Sequence, residues 1–100
     1  MNFMLRISTS ESESAVAMTL EGRVAGLWVK ELVDAWKAMA PLLGQRKLLL
    51  DLRGVTFADD PGKQALREIY SNSGAEILAK TAWTEHLAWE IRSESNLNFD

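Results

Sequence analysis

The chain has 100 residues, a hydrophobic content of 47% and a formal charge of −3, which suits one shared core and excludes a surface built to neutralise nucleic-acid phosphates. It holds no cysteine and a single histidine, His86, so disulfides, thiolate metal ligands and the histidine clusters of common zinc sites are excluded and a reducing cytoplasm fits. The strongest apolar tract, residues 35–43, is broken by Lys37 and Pro41 and is too short to span a membrane, and the mixed run at 1–7 does not read as a signal peptide.

Phe3, Leu5 and Ile7 alternate with Met4 and Arg6, and Val16, Met18 and Leu20 repeat the pattern after the Ser/Glu stretch at 8–14. An N-terminal β-hairpin is expected, with that stretch as its solvated loop. Gly22 and Gly26 then turn the chain into a helix over 27–43. Val29, Leu32, Val33, Trp36, Met39, Ala40 and Leu43 line its inner side, and Lys30, Glu31, Asp34 and Lys37 its outer side. Residues 47–52 form a continuous apolar run, the pattern of a central strand covered on both faces, and 55–58 continue it as a buried loop or strand end. A second helix is expected over 61–71, burying Ala65, Leu66, Ile69 and Tyr70 and closed at Gly74. A fourth strand at 75–79 and a last helix at 85–91, capped by Thr84 and burying Leu87, Ala88 and Ile91, complete one domain of order ββαβαβα. The fold class is α/β, a mixed four-stranded sheet with helices packed on it. Asn96-Leu97-Asn98-Phe99 reads as a remnant of a fifth strand, in which case a sheet edge is left open for pairing with a second copy of the chain.

Leu20-Glu21-Gly22-Arg23, the run from Leu50 through Asp51-Leu52-Arg53-Gly54-Val55-Thr56 to Phe57, and the following Asp59-x-x-Gly62 resemble the STAS domain of bacterial anti-sigma factor antagonists. The similarity extends over about residues 5–91. It implies a non-enzymatic, cofactor-free cytoplasmic binding module in transcription regulation. Its partner would be a protein, an anti-sigma factor that is also a serine kinase. Contact would run through the loop and the start of the second helix: Arg23, Asp59, Asp60, Pro61, Gly62, Lys63, Gln64 and Arg67. Regulated members carry a phosphorylated Ser or Thr directly after the motif's Asp; here that position is Asp60, which cannot form the same phosphoester. A second reading within the same fold is an accessory subunit of a transporter ATPase.

Asp60 precedes Pro61, which disfavours helical geometry before it and suits the first helical position, so Asp60 is expected to cap the second helix. It also places a fixed negative charge where relatives place a removable phosphate, an imitation made partial by its single charge. Asp51, Asp59 and Asp60 lie close in sequence and raise a Mg²⁺-dependent phosphoryl-transfer reading, although no phosphate loop accompanies them. Lys63, Gln64 and Arg67 suit a binding rim or a solvated helix face equally. His86 reads as a surface residue. Trp36 fits the core stripe; Trp28, Trp83 and Trp89 are the candidates for interface anchors, with the core as the alternative for each.

Overall fold

The computed structural model describes residues 4–96, with side chains to residue 93. Strands β1 (Leu5–Glu11), β2 (Ala15–Val24), β3 (Lys47–Ala58) and β4 (Glu76–Leu78) form one sheet in the order β1-β2-β3-β4. The first pair is antiparallel and the other two are parallel. The hairpin turn is tighter than the expected seven-residue loop. Ser12 N donates to Ala15 O at 2.8 Å, and Ala15 N donates to the Ser12 hydroxyl at 3.1 Å. With the turn closed by one serine, Ser8, Thr9 and Ser10 become strand, a polar stretch tolerated because β1 is an edge.

Val16 pairs with Leu48 and Met18 with Leu50, so Val16, Met18, Leu20, Leu48, Leu50 and Leu52 share one face and are all buried. Between β2 and β3 the register slips twice, at Thr19/Glu21 and at Gly22/Arg23. Each slip adds a residue on β3, so Leu52, Val55 and Ala58, three apart, all turn inward. That is why β3 runs on to Ala58 where period-two reading stops at Leu52.

Helices α1 (Trp28–Leu43), α2 (Asp60–Ser73) and α3 (Ala82–Asn96) contribute Leu32, Leu66, Ile69, Leu87 and Ile91 to that same core. The expectation of a central strand covered on both faces is therefore corrected: on the other face Leu49 is half-buried, and no described helix packs there. Gly74 closes α2 in the left-handed conformation, its N–H donating to Tyr70 O at 2.8 Å. Thr84 does not cap α3 from outside. Thr81 does, its hydroxyl accepting from Thr84 N at 3.1 Å, while the buried Thr84 hydroxyl accepts from Thr81 N at 2.8 Å and Lys80 N at 2.9 Å. This reciprocal box starts the helix three residues earlier than expected. The helix also continues through Asn96, and the rest of the strand considered at 96–99 lies outside the described residues. Among the described residues, no helix is long and apolar enough to cross a membrane.

Candidate functional site

Where β2 and β3 end side by side, Asp59 leaves the sheet in extended conformation and α2 begins. Its backbone N–H donates to Val24 O at 3.2 Å. Its carboxylate divides between two elements: Oδ1 accepts from Gly62 N at 2.8 Å and Oδ2 from Gly26 N at 3.0 Å. One side chain thus caps α2 and holds the turn between β2 and α1 against it. Gly62 is buried in the closest approach, where a Cβ would overlap the Val24 carbonyl oxygen. The spacing Asp-x-x-Gly is explained by these contacts: cap at the first position, close backbone approach at the fourth.

Asp60 is not the cap, contrary to the sequence-based expectation. Pro61 does bias its predecessor away from helix, but the chain places Pro61 second in the helix and Asp60 first, and the acceptor geometry goes to Asp59. Asp60 is exposed in the first turn. Its charge there is favoured by the helix dipole without being consumed in a cap bond.

Pro61 and Gln64 are exposed beside it. Lys63 leans away, its Nζ 3.1 Å from Glu90 of α3, with only 24% of its side chain accessible. Arg67 donates to Gln64 Oε1 at 3.3 Å. Arg23, paired in register with Phe57, lays its guanidinium 4.3 Å from the Phe57 ring centroid. The sequence-predicted residues therefore gather at one end of the sheet, Lys63 as a tie to α3. Sequence reading missed Phe57 and Glu90. The buried loop or strand end expected at 55–58 is corrected at Phe57, which is 38% exposed: alternation counted on from Leu48, Leu50 and Leu52 sets it outward, and the two register slips together leave that unchanged.

Trp28 and Trp36 are half-buried against the core, whereas Trp83 and Trp89 are 39% and 60% exposed. Trp89 stacks on His86 at 5.8 Å between centroids, and His86 Nε2 lies 3.8 Å from Glu90. This exposed aromatic pair is joined to α2 by the Glu90–Lys63 contact.

The acidic residues do not converge. Asp51 projects from the open sheet face, where Arg53 donates to it from its backbone N at 3.0 Å, Nε at 3.0 Å and Nη2 at 2.9 Å, while the Asp59 carboxylate is held by Gly26 and Gly62. Among the described residues no group of potential ligands is arranged to hold a metal, so the geometry required by the Mg²⁺ reading is absent. The Arg53 hydrogen bonds hold the Asp51 carboxyl below the usual carboxylate range, against the opposing effect of burial. A lowered folded-state pKa stabilises above the unfolded value and is lost as pH falls through the folded one. Asp51→Ala is therefore expected to lower the urea midpoint at neutral pH, with the deficit shrinking below about pH 4. A deficit independent of pH would contradict the ionic origin.

The sequence matches no family model and no curated protein. Solved structures do match. An anti-sigma factor antagonist from Mycobacterium paratuberculosis superposes with a TM-score of 0.73 at 17% identity, over 89% of this chain and 81% of that one. An antisigma-factor antagonist STAS domain from Rhodobacter sphaeroides gives 0.54 at 17% identity, over 76% and 85%. A third structure, Mglu, gives 0.58 at 19% identity over 74% of this chain but only 19% of its own.

Proposed function

We propose that this chain, which has the STAS fold of the anti-sigma factor antagonists, is a non-enzymatic interaction module of the bacterial cytoplasm that binds an anti-sigma factor through the start of α2. The observation that carries this reading is the division of labour between two adjacent aspartates. Asp59 supplies the cap and the tie to the turn before α1, which leaves Asp60 exposed on a rigid first turn. Around it lie Gln64, Pro61 and the Arg23–Phe57 stack, a polar rim with one aromatic anchor.

On this reading Asp60 stands as a permanent negative charge at the position that relatives phosphorylate. It biases the module toward the released state of a partner switch without fully imitating phosphate. The test is affinity capture from the native host with wild type, Asp60→Ser and Asp60→Lys, followed by identification of the partner. Because Asp60 makes no cap bond, all three proteins should fold alike. Capture of a kinase-type anti-sigma factor more strongly by Asp60→Ser than by wild type is the expected outcome. Recovery of a transporter ATPase instead would transfer the same surface to the second class of partner and refute the anti-sigma reading.

A further inference from the structure

α1 is apolar at every position except Lys30, Glu31, Asp34 and Lys37, yet only Leu32 and Leu43 are buried. Leu42 is 68% exposed. Together with Ala35, Ala38 and Met39 it forms one wall of a groove of about 600 Å³, whose other wall is Ile7, Thr9 and Glu11 of β1. The groove runs beside a free strand edge. The ladder ends at Ser12 N to Ala15 O, so by antiparallel alternation Arg6, Ser8 and Ser10 bond to β2. Leu5, Ile7, Thr9 and Glu11 direct their N–H and C=O groups outward. Backbone groups and groove side chains thus belong to the same residues.

We propose that a second copy of this chain occupies this edge, with β1 pairing antiparallel to β1 of the partner copy about a twofold axis normal to the sheet, and α1 packing on its counterpart. Two features favour a copy of itself over a foreign segment. The first is distance. α1 touches both β1 and β2, which sets it over the gap between them; with strands about 4.8 Å apart it lies roughly 5 Å from such an axis. The two α1 axes then come about 10 Å apart, within the 8–10 Å of packed helices. Secondly, small side chains at Ala35 and Ala38 stand at the contact, with Met39 and Leu42 to fill it. A twofold pairing repeats each of these contacts twice and closes the assembly at two copies.

This inference is independent of the proposed partner surface, which lies at the end of the sheet rather than along its edge. It is tested by sedimentation equilibrium on the full chain across the micromolar to millimolar range, with Thr9→Pro and Leu42→Lys. Thr9→Pro removes an outward N–H and no bond to β2; Leu42→Lys places a charge on an already exposed position, so the fold is preserved and circular dichroism checks it. Wild type should dimerise, and each variant should raise the dissociation constant roughly tenfold or more. A wild type that stays monomeric, including one that accepts an extended peptide along β1 instead, would overturn the proposal. A dimer unmoved by both substitutions would do the same.

Discussion

Gly62→Ala is expected to lower the unfolding free energy by about 3 kcal/mol or more, although alanine is the better helix former by about 1 kcal/mol. The added Cβ has nowhere to go. It meets the Val24 carbonyl oxygen, which belongs to backbone rather than to a yielding side-chain tip, and that oxygen already accepts from Asp59 N. Relief requires α2 to move away from the end of β2, and Ala65, Leu66 and Ile69 are buried on its next turns. Urea denaturation reads the effect directly. Stability equal to or above wild type would mean that the close approach of α2 to the sheet is not as described. The same shift displaces Asp60 and Gln64, so partner binding should fall along with stability.

Asp59→Ala should cost about 2–3 kcal/mol, more than a simple cap deletion, because two backbone donors lose their acceptor and one of them, Gly62 N, is buried. Asp59→Asn keeps one acceptor oxygen and should fall between. The neighbouring Asp60→Ala removes only a charge near the helix N-terminus and should cost under about 1 kcal/mol. This ordering separates the two aspartates by role. Equal losses at both positions in thermal or urea melts would contradict the assignment of the cap to Asp59.

Much of the fold was legible because hydrophobic spacing dictates it. Val16, Met18 and Leu20 alternate, Leu48, Leu50 and Leu52 share one face of the apolar run, and Ala65, Leu66 and Ile69 recur at helical steps; these positions are in the buried core. What escaped the sequence lies where local rules compete. Pro61 is compatible with either of the first two helical positions, and only the pair of donors, Gly62 N–H and the distant Gly26 N–H, decides for Asp59 as cap. Thr81 and Thr84 are both good cap residues, and burial of Thr84 selects the third helical position for it. The inward turn of Val55, which alternation from Leu52 would set outward, depends on register slips that no periodicity shows.

At the candidate site Asp59 and Gly62 were singled out by the resemblance of their motif, which did not show which aspartate serves as scaffold and which faces solvent. A carboxylate that accepts backbone N–H groups and one that faces solvent are the same letter in a sequence. Lys63 shows the converse. Read as a rim residue or a solvated face, it is instead drawn to Glu90, a contact 27 positions away that helix spacing cannot reveal.

The most direct test of the interaction surface is the affinity of the identified partner for Asp60→Lys relative to wild type, measured by calorimetry at matched folding stability. The account predicts that reversing this one exposed charge shifts the dissociation constant at least about tenfold, in either direction. An affinity unchanged by the reversal would contradict it and place the partner's contact away from the start of α2.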